Sequence, residues 1–175
     1  LIAAMAGASW GMYAGYELIE AVARPGAEEH IDSEKYEYKL AWFQAFKAWL
    51  ETEMQRYPNI AVLGDYNVAP TDEDVHNPEK WVGEILVSEA ERAALQSLID
   101  LGLKDAFRLF EQPPKSFSWW DYRMNSFKRN AGVRIDHVLL SEPLVTACTA
   151  CIIDPAPRGN EQPSDHTPVI ATLRV

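Results

Sequence analysis

The stretch that decides the fold is residues 60–67, which read IAVLGDYN. Its first four residues are apolar and partly β-branched, which is typical of a strand buried on both faces. Gly64 lets the backbone leave the sheet, and Asp65 and Asn67 follow where the strand meets a loop. In open α/β sheets ligands bind beyond strand ends, so this acid and amide are candidates for one polar site. Glycine, aspartate and asparagine also form turns, and a simple turn is the alternative interpretation.

Outward from this stretch, residue spacing predicts the other elements. Apolar residues recur at helical intervals from Tyr36 to Tyr57 and predict an amphipathic helix over residues 34–56 whose apolar stripe faces the core. Pro58 ends this helix. The capping box of Ser88 and Glu91 predicts a helix that runs to about residue 101. Strands are predicted over residues 133–140, 147–153 and 169–175, each from a run of apolar side chains. Neither an internal repeat nor a long linker interrupts the 175 residues, which predicts one domain or part of one.

The charge distribution bears on the choice of partner. The net charge of −10 argues against nucleic-acid binding through bulk charge. Residues 104–134, however, hold seven basic and three acidic residues, a local charge of +4. A phosphate-rich partner could therefore meet a basic face on an acidic protein.

Two further sequence features argue against a zinc or redox site and against a signal peptide or membrane span. Cys148 and Cys151 have C-x-x-C spacing, but without a second cysteine pair or a histidine cluster we interpret the segment as a strand in a reducing compartment. Residues 1–23 are apolar but contain Glu17 and Glu20 and lack a basic start. We therefore expect neither a signal peptide nor a membrane span there.

Candidate chemistry lies in three acids at predicted strand ends or within a strand, Asp65, Asp136 and Asp165, with Asn67 and His166 beside two of them. Converging carboxylates suit a hard divalent ion such as Mg²⁺, and a histidine can transfer a proton or bond a phosphoryl oxygen. Alternatively, residues 163–168 form a capped loop, and Asp136 is a buried acid paired with a neighbouring arginine. Adjacent residues 164–166 do not normally reach triad geometry, which argues against a serine hydrolase.

Four motifs in this order resemble the exonuclease III family, the abasic-site branch of the endonuclease/exonuclease/phosphatase superfamily. They are GDYN at residues 64–67, SFSWWDYR at 116–123, RIDH at 134–137 and PSDH at 163–166. The resemblance implies an α/β fold, a two-sheet α/β sandwich of the endonuclease/exonuclease/phosphatase type. It also implies Mg²⁺- or Mn²⁺-dependent hydrolysis at abasic sites in duplex DNA, with 3′→5′ exonuclease and 3′-phosphatase activities.

The resemblance also implies roles for individual residues. Asp65 would activate water or protonate the leaving oxygen, and Asn67 would hold a phosphate oxygen. Asp136 would orient His166 toward the scissile phosphate, and Asp165 would help to hold the metal. The resemblance further implies residues that contact the substrate. Trp119, Val133 and Ile135 would line the pocket for an extruded abasic sugar, and Arg123 would lie near the DNA lesion.

The sequence departs from the family at its start. We find no match to the family's W-N-x-N motif or to its metal-binding glutamate, and residues 1–30 match poorly. The expectation is therefore a single, incomplete domain over residues 1–175 that lacks the N-terminal strands. We expect a monomeric, cytoplasmic, nucleoid-associated enzyme whose partner is duplex DNA with abasic sites or 3′ ends, without membrane association. The alternatives are a catalytically dead DNA-binding module, or a phosphodiesterase acting on lipid or inositol phosphates.

Overall fold

The computed structural model describes residues 33–174, so the expectations for residues 1–32 lie outside the described part. The helices are α1 (Ser33–Arg56), α2 (Pro78–Trp81), α3 (Glu89–Ile99) and α4 (Glu142–Ala147). The strands are β1 (Ala61–Asp65), β2 (Leu103–Asp105), β3 (Asp136–Ser141), β4 (Cys148–Ile153) and β5 (Val169–Leu173). The two long helices and four of these strands were predicted from the sequence, whereas α2, which lies in a segment expected to be a loop, α4 and β2 were not.

A three-stranded antiparallel sheet in the order β1-β3-β2 forms the centre of the fold. Strand β1 pairs with β3 so that Ala61 lies opposite Leu140 and Asp65 lies opposite Asp136. The predicted strand over residues 133–140 therefore begins later than expected, at Asp136. Val133 instead forms isolated bridges with both Val75 and Trp119.

Apolar clusters cover both faces of this sheet. On one face, Leu139 packs with side chains of α1 and α3, including Phe43 and Leu98. On the other face, Val138 and Leu140 pack with Cys151 of β4. The alternation follows from the two-residue period of a strand, so β3 is buried on both sides.

The second sheet consists of β4 and β5, paired antiparallel. Its apolar residues join the cluster that Val138 and Leu140 form, which places the two sheets face to face with α1 and α3 on the outer side of the first. The predicted two-sheet α/β sandwich is thus confirmed. Within residues 33–174, no helix has both the length and the apolar character needed to cross a bilayer.

Two burial predictions are wrong in part. Strand β1 is only half-buried, and Leu63 is 38% exposed, because within the described residues β1 pairs with a single neighbour. Tyr57, counted in the core-facing stripe of α1, is 58% exposed beyond the end of that helix. The other burial expectation for α1 is met at Phe43 and Leu50, which are fully enclosed.

Candidate active site

The antiparallel register brings the first two acids together. Asp65 ends β1 and Asp136 begins β3, and as directly opposed residues they project from the same face of the sheet. Asn67 has a φ of 52°, in the left-handed region that asparagine tolerates. Its backbone N–H donates to Asp65 Oδ1 at 2.8 Å and its side-chain Nδ2 donates to Asp65 Oδ2 at 2.9 Å. Asp65 and Asn67 therefore meet through a turn rather than through continued strand geometry.

His166 joins this pair from the loop between β4 and β5. Its Nδ1 lies 2.9 Å from Asp136 Oδ2, and its Nε2 lies 3.8 Å from Asp65 Oδ2. A carboxylate only accepts, so Nδ1 carries the proton of the bond to Asp136. The imidazole is thereby fixed with Nε2 toward Asp65.

The electrostatics of the three side chains follow from their closeness. Burial, and then the negative charge of Asp136, raises the pKa of Asp65 to about 6. Burial alone would lower the pKa of His166, but the hydrogen bond and charge of Asp136, with help from Asp65 and Asp165, raise it overall. Proton transfer near neutral pH is therefore available to both Asp65 and His166.

Asp165 is held by an aromatic neighbour. Its Oδ2 accepts a 3.0 Å hydrogen bond from Trp119 Nε1, and the backbone of Trp119 bridges to His166. Trp119, expected only as a pocket wall, thus also fixes the orientation of the Asp165 carboxylate.

Ser118 is a structural residue of the site that sequence reasoning missed. It is fully buried, and its Oγ accepts 3.1 Å hydrogen bonds from the backbone N–H groups of Ile135 and Asp136. Its carbonyl accepts from the N–H of Thr167, which follows His166. Ser118 lies inside the quoted FSWW motif, so the signal was present without an assigned role.

The other residues predicted to contact the substrate differ in their exposure to solvent. Val133 and Ile135 are buried in one apolar cluster, against which Trp119 packs. Arg123 is exposed and forms an ion pair with Asp121 at 2.7 Å. The pocket-lining and lesion-contacting roles of these residues remain predictions.

The donor set fits a hard cation in part. Asp165 Oδ1 and Asn67 Oδ1 have no hydrogen-bond partner within the described residues, and such oxygens are the ligands Mg²⁺ prefers. The like charges of Asp65 and Asp136 would also be relieved by a cation. Yet residues 33–174 contain no group of three His, Cys, Asp or Glu side chains close enough to hold a metal. These residues therefore supply only part of a metal site.

Comparisons with protein families and with known proteins find relatives of this chain. The model of the endonuclease/exonuclease/phosphatase family matches residues 9–166. Exodeoxyribonuclease III of Haemophilus influenzae is 34% identical over 157 residues, covering 86% of this chain and 59% of that protein. An exodeoxyribonuclease of Bacillus subtilis is 31% identical, covering 81% of this chain and 55% of that protein. The chain thus spans little more than half the length of these relatives, and the predicted resemblance to exonuclease III is confirmed.

Solved structures agree on the fold. A 3′ phosphatase from Neisseria bound to a product DNA hairpin superposes with a TM-score of 0.80 at 40% identity, covering 83% of this chain and 56% of that chain. An AP endonuclease from Archaeoglobus fulgidus gives a TM-score of 0.78 at 36% identity, covering 83% of this chain and 57% of that chain.

Proposed function

This chain belongs to the endonuclease/exonuclease/phosphatase family, and from that premise we propose that it carries the hydrolytic centre of a DNA-repair phosphodiesterase of the exonuclease III type. Its substrates would be abasic sites and 3′ ends in duplex DNA. The observation that carries the proposal is the chain of contacts from Asp136 through His166 to Asp65. The named relatives and the DNA-bound neighbour support the class of substrate.

In this proposal His166 binds the scissile phosphate. Asp136 holds Nδ1 and stabilises the positive charge of the ring. A protonated ring directs its Nε2–H away from Asp136 and can donate it to a phosphoryl oxygen, where negative charge grows during the reaction. The raised pKa of His166 favours this protonated form.

Asp65 and Asn67 complete the proposed proton and phosphate contacts. Asp65, with its pKa raised to about 6, can take a proton from the attacking water or return one to the leaving oxygen. One N–H of the Asn67 amide is bonded to Asp65, which leaves its second N–H for a phosphate oxygen.

Mg²⁺, with Mn²⁺ as the alternative, would neutralise charge on the phosphate when bound. Asp165 is the proposed ligand from the described residues, because Trp119 holds one of its oxygens and leaves the other available. Asn67 Oδ1 lies on the same turn as Asp65 and is the next oxygen available.

A basic patch beside the site supports DNA as the substrate. It consists of Lys80, Lys115 and Arg129. Burial, and then the positive charges of these three residues, lower the pKa of His76, which places all three near that ring. Within the described residues none of the three forms an ion pair, so the patch is open to an anion. His76 Nδ1 bonds to Gly132 O at 3.2 Å, and the next residue pairs with Trp119. Phosphates bound there would lie next to the candidate active site.

The experiment is a cleavage assay on a labelled duplex with one synthetic abasic site, and on a duplex with a recessed 3′ end. With Mg²⁺ we expect products that vanish on chelation and in Asp65→Asn and Asp165→Ala. Asp100→Asn, an exposed acid at the end of α3, is the matched control. Cleavage that persists in both site variants would overturn the proposal. A monomeric state and a cytoplasmic, nucleoid-associated location belong to the same proposal.

A second candidate, a DNA-binding module without turnover, is favoured by one observation. The described residues contain no complete three-ligand metal cluster. Saturable binding to the abasic duplex, with no product at any Mg²⁺ or Mn²⁺ concentration, would select this second candidate.

A further inference from the structure

Arg158 is a buried cation whose position calls for an explanation. It lies in the 3₁₀ turn Ala156–Gly159, which follows β4, and is only 7% exposed. No carboxylate within the described residues pairs with it. Its Nη1 donates to Ser164 O, and its Nη2 lies 3.5 Å from Trp120 O. Burying an unpaired charge is unfavourable, so the contacts that Arg158 makes indicate its structural role.

Those contacts join two segments of the candidate site. Ser164 immediately precedes Asp165 and His166, whereas Trp120 immediately follows Trp119. A single planar guanidinium thus bonds to the backbone of the loop that presents Asp165 and to the backbone of the strand-like segment that holds it.

Aromatic rings complete the enclosure of Arg158. Its guanidinium carbon lies 5.4 Å from the ring centroid of Tyr122 and 5.2 Å from that of Phe127. Both distances are within the range of cation–π attraction. Among residues 33–174, buried Arg158 Nε has no hydrogen-bond partner, so within this part of the chain the two rings and the two carbonyls hold the side chain.

Further hydrogen bonds join the same two segments, and each depends on the distance between them. Trp120 N–H donates to Asp165 O, and Tyr122 Oη donates to Pro163 O, each at 3.0 Å. The bond from Trp119 Nε1 to Asp165 Oδ2 has the same length. Each of these bonds requires the loop at residues 163–166 to stay packed against residues 119–122.

We propose that Arg158 is a positioning residue that holds this loop in place, so that Asp165 stays on the Trp119 indole and His166 stays between Asp136 and Asp65. The catalytic consequence rests on the proposed function, whereas the positioning itself does not. Arg158 is not a catalytic residue, because it acts through backbone carbonyls.

The test compares Arg158→Met, which keeps length without donors, with Arg158→Lys, which keeps one charged donor. Leu144→Ala, a buried residue of α4 that follows the far end of β3, is the control for simple loss of stability. The first readout is the indole N–H signal of Trp119 in ¹H–¹⁵N spectra, identified by its loss in Trp119→Phe. We expect the Arg158→Met signal to move and to exchange with solvent about tenfold faster, with a smaller effect in Arg158→Lys and none in Leu144→Ala.

The second readout is the Mg²⁺ concentration that gives half-maximal cleavage of the abasic duplex, which we expect to rise about tenfold in Arg158→Met and less in Arg158→Lys. An unchanged Trp119 signal in Arg158→Met, or an equal change in Leu144→Ala, would overturn the positioning role even if the chain cleaves DNA. If the wild-type chain does not cleave, the spectra still decide the matter. If Arg158→Met does not fold, a moved Trp119 signal in Arg158→Lys supports the positioning role and an unmoved signal overturns it.

Discussion

At the scale of single residues, the site depends on which group pairs with Asp136. The sequence also allowed Asp136 to be a buried carboxylate satisfied by a neighbouring arginine, and Arg134 is two positions before it. That interpretation is wrong, because Arg134 is turned away toward Asp74 and Asp105, while Asp136 bonds to His166. The motif predicted the pairing of Asp136 with His166, but no residue spacing could have excluded the arginine.

Replacing Asp136 by asparagine tests this pairing. An amide keeps the shape but removes the charge that stabilises a protonated His166, and it can hold the ring in the wrong tautomer. We expect kcat on the abasic duplex to fall by about 10²-fold or more, with a much smaller change in KM. Asp100→Asn, which replaces an exposed acid that follows α3, serves as the control for kcat. A kcat within threefold of wild type in Asp136→Asn would argue that Asp136 has no role in orienting His166.

Ser118 and Ser116 offer a matched pair of serines in one segment. Ser118→Ala leaves two buried N–H groups without an acceptor, whereas Ser116 is a less enclosed serine that only donates to Pro113 O. We expect the free energy of unfolding to drop by about 2 kcal/mol for Ser118→Ala and by less than about 0.5 kcal/mol for Ser116→Ala. Urea denaturation measures both values, and equal losses would contradict the assigned role of Ser118.

At the scale of elements, the start of β3 shows where sequence reasoning stops. The apolar run over residues 133–140 predicted a strand, and its C-terminal part is one. The earlier part leaves the ladder because Arg134, 1% exposed, is drawn to Asp74 Oδ1 at 2.7 Å and Asp105 Oδ2 at 2.8 Å. Asp74 and Asp105 are distant from Arg134 in the sequence, so local strand propensity cannot predict this pairing.

His137 in β3 makes the stability of this region dependent on pH. Its Nε2–H donates to Val68 O at 2.8 Å, and its Nδ1 accepts from Arg134 Nη1 at 3.1 Å, so only the neutral ring fits. Burial, and then the charge of Arg134, lowers the pKa of His137 to about 4. The unfolded chain takes up this proton near its usual pKa of about 6.5. Stability from His137 is therefore complete above about pH 6.5 and is lost as the pH falls toward 4.

The measurement is the free energy of unfolding in urea at pH 7 and at pH 5. We expect the wild type to lose about 2 kcal/mol more than His137→Gln over this interval. His76→Gln is the comparison, because the pKa of the half-buried His76 is also lowered and its replacement should reduce the loss by much less than His137→Gln does. If His137→Gln is as sensitive to acid as the wild type, the buried neutral ring is not the cause.

At the scale of the whole molecule, local composition predicted a basic face but not which residues form it. Of the seven basic residues between 104 and 134, Arg134 is buried, and Arg108 and Arg123 pair with Asp74 and Asp121. The open patch instead adds Lys80, which lies outside that window, to Lys115 and Arg129. Charge counts along a chain cannot separate paired from unpaired cations, because the pairing is made in three dimensions. The fold class, by contrast, was predictable from the order of motifs.

The basic patch predicts how the affinity for DNA depends on salt concentration. We expect Lys115→Glu combined with Arg129→Glu to weaken binding to the abasic duplex about tenfold or more at 0.1 M salt. The slope of log affinity against log salt should fall by about 2, one for each lost phosphate contact. Lys104→Glu on β2 is the control, because its partner Leu140 lies toward the end of β3 far from Asp136. This control changes half as much charge as the double variant, so a loss of binding free energy half as large would mean that net charge, and not the patch, governs binding.

The cross-strand pairing of Asp65 with Asp136 has a consequence for sequence length. Both carboxylates depend on the phase of one antiparallel ladder, so the gain or loss of a single residue within β1 or β3 would turn one of them to the opposite face of the sheet. Exposed turns in the long connection between these strands carry no such constraint, since loop length alters closure entropy only slowly. Insertions and deletions should therefore be tolerated in those turns, and rejected inside β1 and β3 and beside Asn67, Ser118 and Trp119, which lie in the same connection.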